Sequence, residues 1–113
     1  MGTNNFGVLN WNPDTLKEAV SKMEKEGFQI HFHSIADRAI RVTLDALEYA
    51  KIINGFKNTR HMISHAQLIH PNDVKRFKTL EVIACFQPLW AYPDSYMKEL
   101  TLPCLLYTSP SPR

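Results

Sequence analysis

The chain has 113 residues, 44% of them apolar and 21% charged, with 13 Lys plus Arg against 11 Asp plus Glu, an ordinary composition for a globular domain. A formal charge of +2 with no dense basic cluster leaves no footprint for nucleic acid or a membrane surface, and no apolar run approaches the roughly 18 residues that a spanning helix needs. Cys85 and Cys104 could form one bridge at most, which excludes a disulfide-stapled scaffold, and Met1 to Trp11 lacks the basic start and apolar run of a signal peptide, so the cytoplasm is the default compartment.

Asn12 can cap a helix, Pro13 suits its first position and Asp14 favours its start. Leu16, Ala19, Val20 and Met23 share one face of that helix, and Gly27 stops it. Phe28 to His33 reads as a strand. Ser34 with Asp37 three residues later predicts a capping box for a second helix, whose apolar stripe is Ala36, Ile40, Leu44 and Leu47 and whose end is Asn54-Gly55. Arg60 to Ser64 is a second strand. Pro71 opens a third helix carrying Val74, Phe77 and Leu80, and Val82 to Phe86 is a third strand ending at Gln87-Pro88.

Helices and strands alternating at this spacing predict an α/β protein with parallel strands and crossover helices. Three strands leave two open sheet edges, which complete domains blunt or close, so residues 1–103 read as part of a larger α/β domain. Residues 104–113 break with this pattern. The run Cys104-Leu-Leu-Tyr-Thr-Ser-Pro-Ser-Pro-Arg113 has no acidic residue and no periodicity, and it resembles one reading frame of a transposon-derived sequencing adaptor. It is expected to be a non-native, disordered tail.

Of the five histidines, His33 ends the first strand and His65 follows the second, 32 residues later. One βαβ step takes about 30 residues, so the two imidazoles are expected on adjacent strand ends, where sites in parallel sheets are built. Strands about 4.8 Å apart would let both reach one metal ion. By spacing alone, two hydrogen-bonded structural histidines fit as well. His31 shares a face with His33 and imitates a His-x-His motif, but its position two residues before the strand end predicts a hydrogen-bonded core imidazole. His70, before Pro71, is expected to cap on the solvent side, and His61 lies too early in its strand to reach the rim of His65.

Four blocks carry a further likeness: His33-Ser-Ile-Ala-Asp37-Arg38-Ala39, Arg60-His61-Met-Ile-Ser-His65-Ala-Gln67-Leu-Ile, Pro71-x-Asp73-x-x-Arg76-Phe77 and Ile83-Ala-Cys-Phe-Gln87-Pro88-Leu-Trp90. In order and spacing they resemble the amidohydrolase superfamily, amidohydrolase family 3, in the branch of metal-dependent amidases that includes the N-substituted formamide deformylases. The likeness covers roughly Asn12 to Pro103. It implies a fragment of a (β/α)8 TIM barrel, about strands five to seven with their flanking helices.

The resemblance implies His33 and His65 as metal ligands, the divalent metal being zinc, and a small-molecule amide as substrate, its C–N bond hydrolysed by a metal-activated water. Gln87 and Trp90 would line the substrate pocket, and Asp37 and Arg38 would support the His33 loop. No nucleic acid or membrane partner is implied. Two positions depart from the family pattern, Ala36 where Gly is usual and Ser64 where Glu is usual; a Ser supplies a hydrogen bond but no negative charge. The family's His-x-His of strand one and Asp of strand eight have no counterpart in this chain, so it is expected to be inactive alone. A catalytically dead relic and a small α/β binding module are the alternatives.

Overall fold

A computed structural model of the chain describes residues 8–92, 94–96 and 98–99, with side chains absent from that description at 90 and 91. The segment expected to be a foreign tail lies outside the described residues. Helix α1 spans Pro13–Lys25, strand β1 His31–His33, α2 Asp37–Asn54, β2 Met62–Ser64, α3 Pro71–Thr79 and β3 Ile83–Cys85, and a short 3-10 turn follows at Pro88–Ala91. The three strands form one parallel sheet in the order β1-β2-β3. The expected α/β alternation is therefore present.

The first helix begins as its sequence requires. Asn12 Oδ1 accepts from the backbone N–H groups of Asp14 at 2.9 Å and Thr15 at 3.3 Å, and Pro13 occupies the first turn, where no N–H is needed. Its end is a Schellman turn: Gly27, at φ +87°, donates to Glu24 O while Phe28 N–H donates to Met23 O. Helix α3 ends the same way, with Glu81 in place of glycine at φ +56° and Val82 N–H donating to Phe77 O.

Two details of the helices differ from expectation. Ser34 does not cap α2: the capping position is Ala36, which makes no side-chain cap bond. Ser34 is drawn into the sheet seam, its N–H donating to Ser64 O at 3.1 Å and its buried hydroxyl pairing with Thr43 Oγ1 at 2.9 Å. On α3, Val74 is 54% exposed, whereas Asp73 is buried. Asp73 accepts from Arg41 Nε at 2.8 Å and Arg76 Nη1 at 3.1 Å, and those ion pairs turn the 73, 77 and 80 face inward, with Phe77 and Leu80 against the core.

The strands are three residues each, shorter than the sequence suggested, because regular pairing gives way to single bonds at their ends, such as Met62 N–H to Ile30 O and Ile83 N–H to His61 O. Registers align His31 with Met62 and Ile83, Phe32 with Ile63 and Ala84, and His33 with Ser64 and Cys85. Side chains alternate across a sheet, so the middle row faces the helices. There Ile63 is fully buried with Val20, Ile40, Leu44, Leu47 and Ala50. The other two rows share the opposite face, where His31 and His33 are exposed and Met62, Ser64, Ile83 and Cys85 half-buried. Parallel sheets are ordinarily covered on both faces.

At the amino-terminal end of the sheet, His61 is buried beside Glu24. Its Nδ1 accepts the Ile30 N–H at 3.0 Å, so the ring hydrogen of the neutral form sits on Nε2, which lies 3.2 Å from Glu24 Oε1 and 2.8 Å from Thr59 Oγ1. Asn54 Nδ2 donates to the second Glu24 oxygen at 3.0 Å and to Ser21 O at 2.8 Å. This cluster ties α1, α2 and β2 together, and it leaves His61 at the opposite end of the strand from His65.

Candidate functional site

His33 is the last residue of β1, His65 the first after β2, and Gln87 the second after β3. Three adjacent parallel strands thus bring the three side chains to one rim. His65 has φ +63°, a left-handed backbone that costs a non-glycine residue on the order of 1–3 kcal/mol. That turn coincides with a ring placed toward β1. His33 Nδ1 and His65 Nε2 are hydrogen-bonded at 2.8 Å, with ring centroids 4.9 Å apart and planes at 39°.

Gln87 settles how the His65 ring can act. Its Oε1 lies 2.6 Å from His65 Nδ1. With the amide oxygen as acceptor, Nδ1 carries the hydrogen and Nε2 keeps a lone pair directed at His33. The family likeness implied Gln87 in a substrate pocket; the structure gives it a histidine partner. The Trp90 side chain lies outside the described residues, its backbone being in the 3-10 turn.

His31 departs from the expected core role. It is exposed and stacks on His33 with centroids 5.4 Å apart and planes at 18°. Its Nε2 is hydrogen-bonded to the Ser64 hydroxyl. The sequence marked Ser64 only by the missing carboxylate; the cross-strand register, which sets it beside His33, was the signal that could have exposed its contact. His70 caps α3 as expected, accepting from Asn72 N–H at 3.2 Å. Asp37 Oδ1 accepts the Arg38 N–H at 2.6 Å in the first turn of α2.

A groove of about 420 Å³ runs along β1 between the segment before α1 and the α1 and α2 helices, with His31 and His33 in its wall beside Trp11, Leu16 and Phe32. No Asp, Glu, Lys or Arg among the described residues lines it. Arg76 binds Asp73, Asp45 at 2.7 Å and Glu48 at 2.8 Å. Burial lowers its affinity for the proton, but hydrogen bonds to Asp45 and Asp73, the Asp45 charge and the Glu48 bond together hold its pKa above the ordinary arginine value.

Two imidazole nitrogens aimed at one point suit a borderline metal such as zinc. The observed 2.8 Å is shorter than the roughly 3.3 Å between two nitrogens on one tetrahedral ion with bonds near 2.05 Å, so the rings would part by about half an ångström. Among the described residues no group of three or more His, Cys, Asp or Glu is placed to hold a metal ion. The pair fits part of a ligand set.

Parallel strands, crossover helices and a polar cluster at the carboxyl ends of the strands define an α/β chain of the kind that builds its sites from strand-end loops. The chain belongs to the amidohydrolase family, which it matches over residues 3–103, and its origin is therefore among hydrolases. Protein LONG AFTER FAR-RED 3 of Arabidopsis thaliana is 34% identical over 99 residues, 86% of this chain and 17% of that protein. Exoenzymes regulatory protein AepA of Pectobacterium carotovorum subsp. carotovorum is 32% identical over 78 residues, 67% of this chain and 16% of that protein. The chain spans less than a fifth of the length of these relatives. No solved structure matches it significantly.

Proposed function

We propose that the chain forms about strands five to seven of a (β/α)8 barrel and contributes His33 and His65 to the divalent-metal site, a zinc site, of an enzyme that hydrolyses the C–N bond of a small amide or formamide. The observation that carries this reading is the pair of facing nitrogens, His33 Nδ1 and His65 Nε2, on adjacent strand ends. Zinc, when bound, would polarise a carbonyl and lower the pKa of a bound water toward roughly 7. Catalytic zinc usually takes three protein ligands, so the remaining donors, and the carboxylate that moves the proton from water to the leaving amine, belong to the rest of the barrel.

This chain's own residues have narrower tasks. Gln87 keeps the His65 lone pair on Nε2, where it accepts the hydrogen of His33 Nδ1; on metal binding that hydrogen would be displaced, so that each histidine offers one lone pair. Asp37 and Arg38 hold the first turn of α2, and with it the loop after His33. Trp90 lines the substrate pocket beyond β3. Zinc titration of the 113-residue chain, followed by the imidazole nitrogen resonances, tests the assignment. Zinc should move His33 Nδ1 and His65 Nε2, and His33→Ala and His65→Asn should each abolish the response; resonances that ignore zinc would remove both residues from the site.

A further inference from the structure

We infer that Ser64 and His31 are positioning residues that set the ring orientation of His33, an inference that rests on the reading of His33 as a metal-holding residue. Ser64 is the register partner of His33, yet its hydroxyl reaches past that neighbour to His31 Nε2. The bond crosses from β2 to β1 and fixes the His31 ring on the sheet face.

His31 and His33 lie two apart on one strand, so their side chains leave the same face. The stack, with planes at 18° and centroids 5.4 Å apart, makes the anchored His31 ring a wall on the side of His33 that leads back toward the start of the strand. His33 is left the direction of the strand end, where His65 Nε2 meets its Nδ1 at 2.8 Å. The two facing nitrogens are therefore held from both sides, by Gln87 behind His65 and by Ser64 through His31 behind His33.

Neither Ser64 nor His31 touches the point between the facing nitrogens. Their effect passes through the His33 ring plane, as partners beyond the ligands commonly act, where losing one costs about 10- to 100-fold in metal affinity.

The test compares the 113-residue chain with Ser64→Ala and Ser64→Thr, using long-range proton–nitrogen spectra of the imidazoles without metal and then zinc titration. Ser64→Ala should shift the His33 ring nitrogens and weaken zinc about tenfold, while Ser64→Thr, which keeps the hydroxyl, should restore both. If Ser64→Ala does not fold, His31→Phe keeps a ring against His33 without the bond to Ser64 and should produce the same His33 shift. His33 nitrogens unchanged in the folded variant would overturn the inference, as would failure of Ser64→Thr to restore them. Zinc having no effect on the unsubstituted chain would overturn the metal reading alone, because the metal-free spectra judge the orientation of His33 separately.

Discussion

The amide of Gln87 and the backbone of His65 act on the same imidazole by different means. The amide oxygen fixes which nitrogen bears hydrogen, and the left-handed φ of +63° coincides with the ring's placement toward β1. Gln87→Leu removes the first and leaves the second, so zinc affinity should fall about tenfold with the far-ultraviolet circular dichroism unchanged; undiminished affinity would assign the orientation to the backbone alone. His65→Asn is the cleaner ligand deletion, since Asn tolerates the left-handed region better than most residues. The pair of histidines was legible from a βαβ step of ordinary length. The tautomer of His65 and the exposure of His31 were not, because the first depends on a side chain that follows a third strand and the second on which sheet face packs the core.

Helix ends show where local sequence decides structure and where tertiary contacts override it. Asn12-Pro13 and Gly27 delimit α1 as read, because each acts on its own neighbours. Ser34 and Val74 were misread because their fates depend on β2 and on Arg41, both more than 25 residues away. Glu81 occupies the left-handed cap position that Gly27 fills in α1; Glu81→Gly relieves a strain of about 1–2 kcal/mol, partly offset by glycine's freedom when unfolded, for a net gain of about 0.5 kcal/mol by denaturant titration. Asp73→Ala should cost about 1–3 kcal/mol, between the values for exposed and for fully buried ion pairs, because Asp73 is buried while Arg41 and Arg76 keep access to water. The raised pKa of Arg76 implies stability fully present below the unfolded arginine value and lost only as pH rises through the higher folded value. Thermal melts between about pH 6 and 9, all well below the usual arginine range, should therefore carry the full Arg76 contribution and show no pH dependence arising from it.

At the scale of the molecule, one sheet face packs Ile63 on the helices, and the other carries His31, His33, Met62, Ser64, Ile83 and Cys85, none of them fully buried. Ile63 is the central plug of the packed side; Ile63→Ala should cost about 2–5 kcal/mol, a large share of the roughly 5–15 kcal/mol that holds a typical native domain. The chain alone should hydrolyse no amide, as the donors and the proton-moving carboxylate of the proposed mechanism lie elsewhere, and turnover by the purified chain would refute that mechanism. Strand order has one more effect, on persistence in time. Among the described residues strand β2 is flanked on both sides while β1 and β3 each have one neighbour, so in the 113-residue chain β2 amide hydrogens should exchange with solvent most slowly among the strands. His33 stands on a flank and His65 beside the centre. The facing imidazoles therefore last only as long as the seam between β1 and β2, and the opening rate of that seam is the clock by which the site forms and disperses.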